Sequence, residues 1–314
     1  MDPLSDVLSL LRPRSVLSAA MNAGADWAIR FPPQGCAIKT GAIVSGTCWL
    51  VVDGEEPILL KRNDFFLLPH GHAFLMASDL ELPPLAAADV FAAVRFGGVV
   101  RIGEGGSFLC HSNRFVMEGP DAALLTMLLP SVVLIRADDG GASLGWLVAR
   151  MMTELSQQRA GSALVIKHLA QMMLVEALRL QAATGPAGGT GWLYALADRS
   201  LGAALAALHA DPARRWTVAD LAAEAGMSRA AFSEHFRKGT GLAPMAYLTR
   251  WRMSLACERL LHPDSPIAAI AIDIGYESES AFSTAFKREV GCPPRQWARR
   301  AMAKDGAGGR AAAE

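Results

Sequence analysis

The stretch TVADLAAEAGMSRAAFSEHFRKGT (217–240) returns in altered form as IAAIAIDIGYESESAFSTAFKREV (267–290), at an offset of 49 to 50 residues. In each copy, apolar residues recur at helical spacing, first before a glycine and then after a serine. The glycine supplies the left-handed conformation that ends a helix, and the serine hydroxyl caps the start of the next. Two helices joined by such a turn form a helix-turn-helix unit. We therefore predict two of these units in the last third of the chain.

The second helix of a helix-turn-helix unit enters the major groove of DNA and turns its outward side chains to the base edges. The residues that we expect to contact bases are Arg229, Ala230, Ser233, Glu234, Glu279, Ser280, Ser283 and Thr284. The residues that we expect to contact phosphates are Ser228, Arg237, Lys238, Arg250, Arg252, Ser278, Lys287 and Arg288. A helical bundle with solvated charged faces is the alternative, but it does not account for a duplicated pattern with basic residues at matching positions.

The charge distribution places this predicted interface in the same part of the chain. The formal net charge is zero, with 30 basic and 30 acidic residues. Residues 201–304, however, contain 14 basic and 10 acidic groups, whereas residues 1–200 contain 15 and 18. A local excess of positive charge favours a nucleic-acid partner. The apolar content of 52% excludes a wholly disordered chain.

Neither a membrane span nor a disulfide framework is indicated. The sequence contains no run of about 20 apolar residues, and its start lacks the apolar core of a secretory signal. The five cysteines are odd in number and have no CxxC spacing, which argues against a disulfide framework or a cysteine-rich zinc module. We therefore expect a reducing, cytoplasmic setting and no membrane partner.

The first half of the chain has the pattern of a β-rich domain followed by two helices. We predict strands at 49–52, 57–60, 65–68, 73–77, 91–96 and 99–102, a pattern typical of a sandwich or small barrel. Amphipathic stretches at 144–155 and 164–175 then predict an antiparallel helical hairpin. The segment TGPAGGTG that follows (184–191) is the clearest linker.

The end of the chain resembles the C-terminal DNA-binding domain of the AraC/XylS family of bacterial transcriptional regulators. The resemblance is carried by WTVADLAAEAGMSRAAFSEHFRKGTGLAPMAYLTRWRMSLACERL (216–260) and IAAIAIDIGYESESAFSTAFKREVGCPPRQWARR (267–300). It implies seven helices, with a long helix at about 245–260 that joins the two units. The family usually has arginine where Thr284 stands, so a strong guanine contact is not expected at that position.

The first half resembles the cupin-like domain that precedes this DNA-binding domain in one branch of the family. The phrases that carry this resemblance are GTCWLVVDGEEPILLKRNDFFLLPHGHAFLMAS (46–78), LLPSVVLIR (128–136) and LVIKHLAQMMLVEALR (164–179). We therefore expect an α+β protein with an N-terminal cupin-like β-barrel, a helical hairpin and an all-α C-terminal domain. The boundaries that we assign are a sensor domain at 1–140, a dimerising hairpin at 141–183, a linker at 184–200, a DNA-binding domain at 201–302 and a flexible tail at 303–314.

The resemblance implies a sequence-specific transcriptional regulator, here expected to be an activator. The signal would be a small molecule or a chemical stress sensed in the cupin-like domain. The partners that we expect are promoter DNA, a small-molecule effector, RNA polymerase and a second copy of the chain.

A metal-dependent cupin enzyme fused to a DNA-binding module is the alternative. His70 and His72 lie two residues apart, so on an extended backbone both rings point to one side. Cys110 and His111 are the nearest candidates for further ligands, although an enzymatic site needs a third histidine or carboxylate. The same residues fit a polar rim or an organic-ligand pocket. No cofactor is therefore firmly predicted, and a metal ion in this domain is the alternative.

Three cysteines of the sensor domain are candidates for oxidant sensing, namely Cys36, Cys48 and Cys110. Reactivity requires an exposed thiol with a depressed pKa, whereas most cysteines are buried and structural. Both interpretations stay open on the sequence alone.

Overall fold

A computed structural model describes residues 2–24, 26–35, 37–117, 129–138, 142–184, 191–262 and 266–311. These residues form two compact units. The sheet unit contains residues 13–117 and 129–184, and the helical unit contains residues 2–12, 191–262 and 266–311. No helix of the described residues has both the length and the apolar character needed to cross a membrane.

The sheet unit is built from a six-stranded and a five-stranded sheet. Its strands are β1 (Pro13–Ala23), β2 (Ala28–Phe31), β3 (Ala37–Ser45), β4 (Cys48–Val52), β5 (Ile58–Leu60), β6 (Phe65–Leu68), β7 (Phe74–Ala77), β8 (Leu85–Ala86), β9 (Gly98–Ile102), β10 (Phe108–Met117) and β11 (Val133–Ile135). The strand order is β11-β6-β3-β10-β1-β9 in the larger sheet and β5-β4-β7-β2-β8 in the smaller one. A short helix, α2 (Ala87–Val90), follows β8 and is the second helix of the chain after α1 (Pro3–Leu11).

The strands form two separate sheets rather than the closed barrel that the sequence analysis predicted, whereas the mixed α+β class is confirmed. The apolar core lies between the sheets and includes Phe31 and Phe74 from one sheet and Phe66 and Phe108 from the other. Gly41 makes this packing possible, because a Cβ atom there would lie 2.3 Å from the ring of Phe66. Residue 41 must therefore lack a side chain for that ring to cross β3.

The strands β4, β5, β6 and β7 lie where the sequence pattern predicts them, and β9 overlaps the predicted strand at 99–102. The predicted strand at 91–96 is wrong, because this segment forms turns after the short helix α2. The longest strands, β1 and β10, are absent from the sequence analysis. They pair with each other in antiparallel register from Pro13↔Met117 to Ala23↔Phe108.

Two helices complete the sheet unit, α3 (Ala142–Gln157) and α4 (Ser162–Thr184). Their connection is held by the buried carboxylate of Glu154, which accepts a hydrogen bond of 2.8 Å from the hydroxyl of Ser162. Arg159 donates to the same carboxylate over 3.2 Å, and Arg150 forms an ion pair with it. Because its charge is compensated on both sides, this buried carboxylate fixes the turn between the two helices.

The helical unit contains the duplicated pattern. Its helices are α1 (Pro3–Leu11), α5 (Trp192–Ala197), α6 (Arg199–Ala210), α7 (Val218–Glu224), α8 (Arg229–Thr240), α9 (Pro244–Leu260), α10 (Ile267–Asp273), α11 (Glu279–Val290) and α12 (Pro294–Ala311). In the described residues from 199 onward there are seven helices, and the long α9 joins α8 to α10. The resemblance implied this arrangement.

Three segments differ from the boundaries that the sequence analysis assigned. In the segment 184–200, assigned as linker, residues 185–190 lie outside the described residues, but α5 forms at 192–197 and buries Trp192. The helix α12 extends to Ala311, through most of the segment 303–314 assigned as a flexible tail. The contacts of residues 2–12 place α1 with the helical unit, although the sequence analysis counted these residues with the sensor domain.

Candidate nucleic-acid interface

The two helix-turn-helix units close their turns with the same hydrogen bonds. In the first unit, Met227 N–H donates to the carbonyl of Ala222 over 2.9 Å. In the second unit, Tyr276 N–H donates to the carbonyl of Ala271 over 2.8 Å. The glycine at each turn has positive φ, 66° at Gly226 and 86° at Gly275, as the αL end of a helix requires. The duplication in sequence is therefore a duplication in backbone geometry.

A serine begins the second helix of each unit, as predicted from its position. The hydroxyl of Ser228 accepts from Ala231 N–H over 3.4 Å, and that of Ser278 accepts from Ala281 N–H over 3.2 Å. Upstream, Thr217 and Asp220 form a reciprocal capping box at the start of α7. Each cap satisfies backbone donors that a helix start leaves unpaired.

Pairs of buried phenylalanines fix the rotation of α8 and α11 about their axes. Phe232 and Phe236 are fully buried with ring centroids 5.3 Å apart, and Phe282 and Phe286 are fully buried 5.5 Å apart. Their burial turns the opposite faces of α8 and α11 outward. The predicted base-contacting residues are all exposed except two half-buried serines, Ser233 and Ser283, which occupy equivalent positions.

The two outward faces differ in charge at their first turn. The helix α8 begins with the exposed cation Arg229, whereas α11 begins with Glu279, whose carboxylate lies 3.9 Å from the guanidinium of Arg295. The hydroxyls of Ser233 and Thr284 each donate over 2.9 Å to the carbonyl four residues earlier. The second helices of the two units, α8 and α11, are called the reading helices below. They therefore present different side chains on the same backbone geometry.

Basic residues lie in the last turn of both reading helices. Arg237 and Lys238 are exposed at the end of α8, and Lys287 and Arg288 are exposed at the equivalent place in α11. The guanidinium of Arg288 also donates to Glu289 over 2.9 Å. Arg250 is half-buried within α9. The last turns of α8 and α11 therefore both carry exposed cations at equivalent positions.

Arg252 differs from the other predicted phosphate ligands. Its guanidinium donates to the carbonyls of Pro212 over 2.7 Å and Arg214 over 2.9 Å, and it lies 5.7 Å from the ring centroid of Tyr276. Burial lowers the pKa of Arg252. These bonds attach the loop before the first unit to α9, so the side chain has a structural use that the sequence analysis did not anticipate.

A buried polar and aromatic cluster, which the sequence analysis missed, lies beneath the first unit. The hydroxyl of Tyr247 accepts from the indole N–H of Trp192 over 2.9 Å and lies 2.9 Å from Nε2 of His209. The ring of His209 stacks on Trp251 at 4.0 Å. Burial lowers the pKa of His209 to about 3, so the ring is neutral at pH 7; in the tautomer with the proton on Nδ1, Nε2 accepts a hydrogen bond from the Tyr247 hydroxyl.

The helix α1 covers this cluster. Its Asp6 carboxylate lies 3.4 Å from Nδ1 of His209, and Arg12, just beyond the helix, forms an ion pair with Glu258 of α9. Val7 and Leu11 of α1 are buried. No motif in the first twelve residues signals this position, because the partners come from segments about 200 residues later in the chain.

The predicted metal or effector residues have separate hydrogen-bond partners in the structure. His70 and His72 lie with ring centroids 5.6 Å apart, and Nε2 of His70 lies 3.0 Å from the carbonyl of Leu129. His111 is fully buried, lies 3.0 Å from the hydroxyl of Ser18, and has a pKa that burial lowers to about 3. Within the described ranges, no three histidine, cysteine or acidic side chains gather as a metal site would require.

The two described cysteines of the sheet unit are buried thiols. Cys48 and Cys110 both belong to the core between the sheets and are free thiols. Burial raises the pKa of Cys110 to about 12 and also raises that of Cys48. Because the thiolate is the reactive form, neither residue has the environment of an oxidant sensor in this conformation. Cys36 lies outside the described residues.

Comparisons with known proteins agree with the two-unit organisation. A cupin family model matches residues 2–183, and a helix-turn-helix domain model matches residues 221–300. A putative AraC-like transcription regulator of Streptomyces lividans is 42% identical over 94% of this chain and 97% of its own length. One of Streptomyces antibioticus is 41% identical over 96% and 100%. The solved DNA-binding domain of AdpA in complex with a target DNA is 31% identical, with TM-score 0.31, over 34% of this chain and 96% of that one.

Proposed function

This chain belongs to the AraC-like transcription regulators, and we propose that both of its helix-turn-helix units contact one promoter duplex under the control of a signal sensed in the cupin-like unit. The observation that supports the proposal is the matching local structure of α8 and α11. Both helices follow a turn closed by the same hydrogen bond, begin with a serine cap, and bury a pair of phenylalanines on the face opposite the exposed one. The alternative of a cupin enzyme is not favoured, because the relatives are transcription regulators.

We propose different roles for the first and last turns of the reading helices. Arg229 would contact a base edge, because it lies exposed at the start of α8. Lys287 would contact a phosphate, because it lies exposed in the last turn of α11. Arg252 is left out of the phosphate set, since its guanidinium is bound to two backbone carbonyls.

The experiment that tests these roles is selection of binding sequences from a random duplex pool, followed by affinity measurements over a salt series. For Arg229→Ala we expect a relaxed preference at one base position, worth about 1–3 kcal/mol of discrimination. For Lys287→Ala we expect weaker binding to every sequence and a salt slope smaller by about 1.

The matched control is Lys61→Ala, which removes an exposed lysine of the sheet unit and leaves both preference and slope unchanged. Equal behaviour of the Arg229 and Lys287 variants would contradict the separation of base and phosphate contacts. Absence of DNA affinity at low salt would contradict the proposed function itself.

We further propose that the helices α3 and α4 pair with a second copy of the chain. Their outer surface leaves Trp146 61%, Leu164 60% and Met172 52% exposed. Trp146 and Met172 line a groove of about 520 Å³ that also contains Glu176 and Arg179. Glu176 and Arg179 lie 3.9 Å apart, so this groove joins exposed apolar side chains to charges of both signs, a composition compatible with pairing of the same patch across a two-fold axis.

Contact with RNA polymerase and the role of activator follow from the family alone and stay predictions.

The signal acts only if it binds one state of the protein more tightly than the other, since equal affinity shifts no equilibrium.

A further inference from the structure

The side chains on the inward face of β10 change from apolar to polar along the strand. Cys110 belongs to the apolar core between the sheets, so Ser112 and Arg114, two and four residues further on, point to the same side. Lys39 of β3 is the register partner of Arg114. One end of an otherwise apolar interior therefore contains two cationic side chains on neighbouring strands.

Lys39 is a buried cation with few partners. Its side chain belongs to a residue that is only 5% exposed, and its ammonium donates one hydrogen bond of 3.1 Å to the hydroxyl of Ser112. The ammonium also lies 5.5 Å from the ring centroid of Phe31. Among the described residues, no carboxylate lies within ion-pair distance of it. Since an ammonium has three N–H donors, most of the hydrogen-bonding capacity of Lys39 is unused.

Arg114 also has fewer hydrogen-bond partners than its donors could use. Its Nε–H group is buried without a hydrogen-bond partner, and its terminal nitrogen reaches only the amide oxygen of Gln34 over 3.4 Å. Burial and, to a smaller extent, the nearby charge of Arg114 lower the pKa of Lys39 to about 8. A buried ammonium beside a half-buried guanidinium whose Nε–H is unpaired is costly unless an anion compensates them.

We propose that Lys39 and Arg114 bind the carboxylate of a small organic effector, with Ser112 and Gln34 as its neutral partners. This inference rests on the proposed sensing function, for which it names the ligand class. A carboxylate fits because a guanidinium binds its two oxygens side by side. The ring of Phe31, which lies 5.5 Å from the ammonium of Lys39 and stacks on Phe74 at 4.4 Å, is the apolar neighbour of this site.

The test is thermal unfolding of the full chain with sodium acetate or sodium butyrate, compared with sodium chloride and sodium phosphate at equal ionic strength. Butyramide serves as the uncharged analogue of butyrate. At a concentration a few times the Kd, we expect a carboxylate to raise Tm by about 2–4 °C, because it binds only the folded state. Chloride, phosphate and butyramide should leave Tm unchanged.

Lys39→Met removes the charge and keeps a side chain of similar length. We expect this variant to lose the carboxylate response and to have a higher Tm without ligand, since an unpaired buried charge is gone. The matched control Lys61→Met replaces an exposed lysine and keeps the response.

A wild-type Tm that no carboxylate raises above the chloride value would overturn the proposal, as would a Lys39→Met variant that responds like the wild type. A response to phosphate alone would overturn the carboxylate class. Because the assay contains no DNA, its outcome is independent of whether the proposed DNA contacts are correct.

Discussion

At the scale of single residues, the hydroxyl of Tyr247 is the centre of a buried network. It satisfies the indole N–H of Trp192 and the Nε2 of His209, and all three side chains are buried. Tyr247→Phe would leave a donor and an acceptor without partners, and we expect it to lower the free energy of unfolding by about 1–3 kcal/mol. Chemical unfolding followed by tryptophan fluorescence measures this change.

Tyr194→Phe is the control for that variant, because Tyr194 is only half-buried. If Tyr247→Phe were as stable as this control, the network would contribute no stability and the account of the cluster would be wrong.

The role of a residue was predictable from the sequence where the residue bonds to others a few positions away in the chain. Ser228 and Ser278 cap the helices that follow them, because a cap needs only a hydroxyl and a nearby N–H group. Arg252 shows where such reasoning ends. Its acceptors, the carbonyls of Pro212 and Arg214, lie about 40 residues earlier, and no local pattern marks them.

At the scale of elements, helices and strands with a regular local pattern were predictable. The amphipathic pattern placed both ends of α3 and the start of α4 within two residues of the observed bounds, but α4 continues nine residues beyond Val175 to Thr184. In β1 the four successive residues 18–21 are all buried, and β10 has buried residues on both faces, Cys110 on one and His111 and Asn113 on the other. Strands covered on both sides lose the alternation of apolar and polar residues from which they are recognised.

The proposed pairing of α3 and α4 with a second copy gives a prediction at this scale. Met172→Lys places a charge on the exposed stripe of α4, and we expect the dissociation constant of the dimer to rise at least about tenfold, or 1.4 kcal/mol. Sedimentation equilibrium of the full chain measures the constant. Leu85→Lys, which alters another exposed apolar residue of the sheet unit, should leave it unchanged.

A Met172→Lys variant that dimerises like the wild type would exclude this surface as the interface. A wild-type chain that stays monomeric would exclude the dimer.

At the scale of the whole molecule, the internal repeat carried more information than composition. A net charge of zero argued against a nucleic-acid partner until the charges were counted by segment. The position of α1 in the helical unit was not predictable, because it depends on contacts between distant segments. The strand pattern was compatible with both a sandwich and a barrel, and the pairing of distant strands decides for two sheets.

The central claim is that two matched units contact one duplex. Hydroxyl-radical footprinting of the full chain on a selected site tests it most directly. The account predicts two protected regions centred about one helical turn, ~34 Å, apart, with Ser283→Arg altering protection in only one of them. A single protected region that survives disruption of either reading helix would contradict the claim.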